Sequence, residues 1–344
     1  MPVMIDAHHH LWDLSAREHR WLMGAQPWAS DAELARLRRS FTLADLVPLA
    51  AASGVTRTVV IQTAAEPWET PDLLALAAGR DPYATVGQAD EPGPPGDRLP
   101  MVAVRDEPAS GGGLLAGVVG WTDLNAPDVG DAVAGLRALP GGDLLCGIRH
   151  PVLAEPDPGW LAQPAVLRGL HALAAAGLSF DIVTLPHQLP AAVTAARSVP
   201  ELRFVVDHLG GPPAESGREG ANGTWGAAIR SLAALPNVTC KLSGVHTIPA
   251  RSSDLRPYYD IVLAAFGPDR LMFGSDWPVS ALTMTYAQVC DMYRDLTAQL
   301  SQAEQEAIFD QTARRVYRLA EPEPPRRTGQ DEGPGRAPQP TTRG

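Results

Sequence analysis

Two spacings alternate along the chain. Short apolar runs, several ending in titratable side chains, occupy residues 3–5, 57–62, 114–121, 144–148, 178–183, 203–206, 237–244 and 271–273. Runs of this length, rich in Val, Ile and Leu, are expected of parallel strands covered on both faces. Longer stretches with apolar residues three and four apart predict helices over 41–54, 66–79, 129–139, 165–176, 189–198, 224–235 and 258–266. In the first of these, Thr42 stands where a cap belongs and Gly54 where a helix stops. A last helix is predicted over 302–319, closing the outer ring. Eight strands alternating with helices make a single (β/α)8 TIM barrel, predicted to occupy residues 1–320.

Three stretches stand apart from this repeat. Residues 84–87 start like a strand, but from 90 to 113 Pro, Gly and charge displace periodic apolar positions, predicting an inserted loop with a short strand at 101–104. Residues 321–344 have a composition that cannot bury a core and are predicted to form a disordered tail. The irregular, aromatic-rich stretch from Trp12 through Trp21 to Trp28 reads equally as a pocket wall above the barrel mouth or as a long loop packed on its scaffold.

Composition narrows the class of function. The 344 residues suffice for one large domain, and the net charge of -11, with no basic stripe, argues against a nucleic-acid partner. Cys146, Cys240 and Cys290 are odd in number, widely spaced and set in or beside apolar segments, as buried thiols in a reducing compartment would be. Nothing approaches the roughly twenty apolar residues of a membrane span, and the N-terminus has no secretory pattern. The expectation is a cytoplasmic protein acting on a small molecule, without membrane or nucleic acid; a homo-oligomer is compatible with the sequence.

The chemistry concentrates at the two ends of the repeat. His8 and His10 lie two apart at the end of the first strand, on one side of an extended backbone, where neutral imidazoles can grip a zinc-like divalent ion. Asp276 sits where the last strand passes into a loop just ahead of Pro278, as a helix cap, a turn former, a metal ligand or a proton acceptor. If first and last strands are neighbours, these three meet at the C-terminal mouth of the barrel, where such folds keep their chemistry. Other strands end in Arg149-His150 and Asp207-His208, another leads to His187-Gln188, and Lys241 lies within a seventh.

Six stretches together resemble a known family: Ile5-Asp6-Ala7-His8-His9-His10-Leu11-Trp12, Gly147-Ile148-Arg149-His150, Phe180-Asp181-Ile182-Val183 with Pro186-His187-Gln188, Val206-Asp207-His208-Leu209-Gly210, Cys240-Lys241-Leu242-Ser243-Gly244 and Phe273-Gly274-Ser275-Asp276-Trp277-Pro278. In this order they resemble the amidohydrolase superfamily, in its branch of TIM-barrel hydrolases that includes sugar lactonases. The resemblance spans roughly residues 4–320 and departs at Gly210-Gly211-Pro212, where many relatives carry a lysine. It implies metal-dependent hydrolysis of a lactone, with His8, His10, His187 and Asp276 holding one divalent ion, zinc by expectation, or the same residues working without metal. It further implies Asp276 as general base, His208 as an orienting or polarising partner, and Arg149 on the substrate carbonyl. His150, Lys241, Trp12 and Trp277 are the further substrate-contacting candidates. A decarboxylase of aromatic or muconate-type acids on the same scaffold, and a barrel that has lost its chemistry, are the rival readings.

Overall fold

The computed structural model describes residues 4–82, 113–213, 222–244 and 255–320. Eight parallel strands follow one another around a barrel in sequence order: β1 (Met4–His9), β2 (Val55–Ile61), β3 (Leu115–Gly120), β4 (Leu145–His150), β5 (Ser179–Ile182), β6 (Arg203–Val206), β7 (Val238–Leu242) and β8 (Leu271–Phe273). The ring closes where β1 meets the exit of β8: His9 bridges Trp277, the Asp276 amide donates to the His8 carbonyl at 2.7 Å, and the His10 amide donates to the Trp277 carbonyl at 2.7 Å. Helices Leu43–Ala52, Glu69–Ala77, Val129–Arg137, Pro164–Ala175, Leu189–Ser198, Thr224–Ala233 and Arg256–Phe266 lie where the spacing predicts them. The start of a strand at 84–87, the strand at 101–104, the inserted loop up to residue 112 and the tail lie outside the described residues.

A bulge in β1 sets up the site. Asp6 pairs with Thr58 and His9 with Val60, so three residues of advance on β1 oppose two on β2. Simple alternation would put Ile5 and Ala7 on the face opposite His8 and His10. The extra residue switches the phase, so that Ile5 and Ala7 pack inside the lower barrel while His8 and His10 face inward above them.

The C-terminal segment takes a different place from the predicted outer helix. Residues Gln302–Glu306, a π-helical turn Ala307–Gln311, and Thr312–Tyr317 run in succession. From them Ala313, Val316 and Tyr317, followed by Leu319, enter the inner cluster of Ile5, Val59, Val119, Val205 and Met272, and so plug the barrel floor. The outer position after β8 belongs instead to Tyr286–Thr297, a helix opened by a Thr285–Gln288 capping box. Its buried face is Tyr286, Val289, Cys290 and Tyr293, an i, i+3, i+4, i+7 stripe in which only Val289 is purely aliphatic, which is why aliphatic counting passes over it. The three cysteines are buried free thiols, and no helix among the described residues is long and apolar enough to cross a membrane.

Candidate active site at the carboxyl ends of the strands

Strand exits deliver the site residues, and tight backbone makes room for them. His8 comes from β1 and His10 from the residue just after it, Arg149 from β4, His208 from the turn after β6 and Asp276 from the turn after β8. Asp276 and His208 hold left-handed φ angles of 57° and 54°, a conformation that L side chains adopt at a cost and that clusters at functional sites. Glycine lets the neighbouring exits approach: a Cβ on Gly274 would stand 2.5 Å from the His8 Cβ, and one on Gly244 2.5 Å from the His208 ring. Asp6, buried at the base of the loop after β8, accepts from the Ser275 amide (2.8 Å), the Ser275 hydroxyl (2.6 Å), the Tyr286 hydroxyl (2.9 Å) and the His8 amide (3.1 Å). Burial pushes its acid up to about 6 against these four donors.

Three donor atoms converge. His8 Nε2 lies 3.2 Å from His10 Nε2, and Asp276 Oδ1 lies 3.5 Å and 3.3 Å from these two nitrogens. His10 Nδ1 sits 2.8 Å from the Ile61 carbonyl, an acceptor only, so the His10 proton is at Nδ1 and the lone pair of Nε2 faces inward. Arg149 Nη1, a donor only, sits 3.4 Å from His8 Nε2 and calls for a lone pair on that nitrogen, while His8 Nδ1 lies between Asp207 Oδ1 at 3.3 Å and the Lys241 ammonium at 3.2 Å. Burial holds both imidazoles below their ordinary range, His8 well below, so both are neutral at pH 7.

Two lone pairs and a carboxylate oxygen at these separations repel one another unless a cation lies between them. Zinc bonds of about 2.0–2.1 Å in a tetrahedral shell separate ligand atoms by roughly 3.3 Å, so the set fits a zinc-like ion. A second donor set, His8, Asp207 and His208, overlaps the first through His8.

Beneath His8 lies a sealed ionic network. Lys241 Nζ, with no exposed surface, reaches Asp181 Oδ2 at 2.6 Å, Asp207 Oδ1 at 3.1 Å and His8 Nδ1 at 3.2 Å. From the floor plug, the Tyr317 hydroxyl donates to Asp181 Oδ2 at 2.6 Å. Burial opposes the charge on Asp207, but the Lys241 ammonium and His8 outweigh it and hold that carboxyl well below the carboxylate range. Arg149 donates to Asp207 Oδ2 at 3.3 Å and to the Gln62 carbonyl, which fixes its guanidinium.

Above the cluster opens a cavity of about 320 Å³. His10, Arg149, His208 and Asp276 reach it from the barrel, and Trp21, Gln26 and Trp28 from the 12–28 stretch, with Thr63, Ala64 and Glu66 after β2. Several sequence candidates lie elsewhere. His187 is exposed in a turn five residues beyond the end of β5 and joins neither donor set, because the chain leaves the barrel before reaching it. Lys241 is shut beneath His8, away from the cavity. His150 alternates outward from Arg149, stacks on Trp160 at 4.2 Å and faces Glu155 at 2.7 Å. Trp12 packs on Phe41 with its indole nitrogen on the Arg39 carbonyl, and Trp277 packs on the same Phe41, so both buttress the site without lining the cavity. Asp207 stands at a strand end in the sequence but was given no role there, and Asp181, Gln62 and Asp6 were not singled out; a charged or amide group within or just after an apolar strand was the available signal for all four.

Comparison with known proteins agrees with this layout. Residues 113–319 match the family described as Amidohydrolase. The chain belongs to the amidohydrolase family. It is 36% identical over 285 residues to an L-fucono-1,5-lactonase of Burkholderia ambifaria, covering 82% of each chain. To an L-fucono-1,5-lactonase of Burkholderia multivorans it is 34% identical over 330 residues, covering 92% of this chain and 97% of that one. A crystal structure of a Burkholderia multivorans amidohydrolase with bound zinc superposes with a TM-score of 0.75 at 32% identity, covering 92% of this chain and 100% of that one. That relative's structure holds zinc, and this chain carries a candidate His/Asp site of its own.

Proposed function

We propose that this amidohydrolase opens a sugar-acid lactone by attack of water, using Asp276 as the base. The observation that carries this reading is the convergence of His8, His10 and Asp276, of which His10 and Asp276 line a cavity that Arg149 also enters. The similarity to two L-fucono-1,5-lactonases supports the substrate class.

The residues divide the work. Asp276 takes a proton from the attacking water as its oxygen bonds to the lactone carbonyl carbon. Arg149, pinned by Asp207 and the Gln62 carbonyl, directs N–H groups at the carbonyl oxygen as negative charge builds there. His208, its Nδ1 held 2.8 Å from the Ser243 hydroxyl, presents Nε2 toward Asp276 at 3.9 Å and orients it. Asp276 then returns the proton to the ring oxygen as the carbon–oxygen bond breaks, so one lactone and one water give one hydroxy acid. His8, His10 and Asp276 would hold a zinc-like ion, which when bound polarises the carbonyl or acidifies the water. Trp21 and Trp28 offer apolar faces to the ring carbons, while Gln26 offers a partner to hydroxyls.

The test is a panel of aldonolactones and aromatic acids, followed by proton release for ring opening and by carbon dioxide release for decarboxylation, with purified protein before and after chelation. Proton release on lactones, lost in Asp276→Asn, supports the assignment. Carbon dioxide from the acids, or unchanged lactone turnover in Asp276→Asn, overturns it.

A further inference from the structure

One buried polar chain stands outside the reaction just described. Glu69, at the start of helix Glu69–Ala77 and only 2% exposed, accepts from the Thr63 amide at 2.8 Å, the Thr63 hydroxyl at 2.6 Å and the Ala64 amide at 2.7 Å. Because the Thr63 proton goes to Glu69, its oxygen lone pair is left for His19 Nδ1, 3.1 Å away. His19 is 1% exposed, its ring edge-on to Trp68 at 5.1 Å and tilted to Trp12 at 6.3 Å. Two residues earlier, Arg17 pairs with Asp72 at 2.9 Å and lies over Trp68 at 5.5 Å.

Of these attachments, His19 to Thr63 and Trp68 and Arg17 to Asp72 and Trp68 join two pieces of chain, while Glu69 braces one of them from within. One is the irregular stretch that brings Trp21 and Trp28 to the cavity; the other is the exit of β2, whose Thr63 and Ala64 are part of the same wall. Burying a carboxylate and an imidazole costs free energy, which burial shows by pushing Glu69 up to about 7 and His19 down to about 4. Short loops with exposed termini need no such pin; a wall that must hold its shape against a ligand does.

We propose that His19, Thr63 and Glu69 are positioning residues that latch the Trp21–Trp28 wall to the exit of β2, and thereby set substrate affinity rather than the rate of the chemical step. The latch rests on the reading of this cavity as the lactone pocket, and the experiment separates the two. His19→Phe keeps a ring between Trp12 and Trp68 and removes the donor; His19→Asn keeps a donor near the place of Nδ1 and removes much of the ring. Hydrogen exchange of peptides covering residues 13–28, measured without substrate, reads the latch alone. KM and kcat on the lactone turned over by the wild type read its consequence.

Loss of one such hydrogen bond should raise KM roughly five- to ten-fold with kcat within about two-fold. In His19→Phe exchange should quicken in 13–28 and not in peptides of the barrel strands, and His19→Asn should fall nearer the wild type on both measures. Unchanged exchange in His19→Phe overturns the latch, even if no lactone proves to be a substrate. Faster exchange with an unchanged KM, or a fall in kcat at constant KM, overturns its role in affinity. An Asn variant no better than Phe shows that ring packing, not the donor, does the holding, and overturns the assignment as well.

Discussion

Replacing Lys241 by Met tests the ionic network under His8. The ammonium stands 2.6 Å from Asp181 and 3.1 Å from Asp207, and none of the three has appreciable exposed surface. With an effective dielectric of about 20, each contact is worth roughly 5 to 6 kcal/mol of Coulomb attraction. Relief of the lysine's own desolvation returns part of this, so a net loss of about 3–5 kcal/mol is expected, the usual cost of stripping one partner from a buried pair. Arg149 remains beside Asp207, but it also serves the Gln62 carbonyl and leaves Asp181 with two neutral donors, the Tyr317 hydroxyl at 2.6 Å and the Ser179 hydroxyl at 3.4 Å. The deficit should depend on pH with a definite sign. Without the ammonium, Asp207 loses the attraction that holds its carboxyl low, and Asp181, already raised by burial, rises further. A folded acid raised above its unfolded value binds more protons folded than unfolded, so the variant gains stability as pH falls from 7 towards about 4. Urea unfolding of both proteins at several pH values reads the difference. A deficit under about 1 kcal/mol at pH 7, or one that does not narrow on acidification, would refute the reasoning.

The other expectations follow from single contacts. Asp276→Asn should lower kcat by about 10²- to 10⁴-fold, the span of a lost general base, with an unfolding midpoint near that of the wild type. Gly274→Ala places a Cβ 2.5 Å from the His8 Cβ, so it should cost about 1–3 kcal/mol and weaken zinc binding in a calorimetric titration; wild-type affinity would show that β1 yields freely. His19 is buried neutral, with its pKa lowered from 6.5 to about 4. A folded base depressed in this way loses stability as pH falls below its unfolded value, so wild type should lose about 3 kcal/mol relative to His19→Phe between pH 6.5 and 4, measured by denaturant midpoints. A pH-independent difference would place the His19 proton elsewhere.

The linear pattern was enough for the architecture. Eight apolar runs separated by helical spacing admit few packings other than a barrel, because each strand must cover both faces and each helix one stripe. It was also enough for the meeting of His8, His10 and Asp276, since closure of a ring makes neighbours of the first and last strand.

What the pattern could not carry is direction within each strand and the fate of segments beyond it. The bulge between Asp6 and His9 reverses the phase of β1 midway, and nothing in Met4-Ile5-Asp6-Ala7-His8-His9 marks it. Lys241 and His150 sit at strand ends like Arg149, yet one points under the site and the other out of the barrel, because burial and partners decide which polar residue meets solvent. The C-terminal helix has the periodicity of an outer-ring helix and plugs the floor instead, where Tyr317 finds Asp181, a partner 136 positions away. Periodicity records which residues are buried; only packing in three dimensions determines against what.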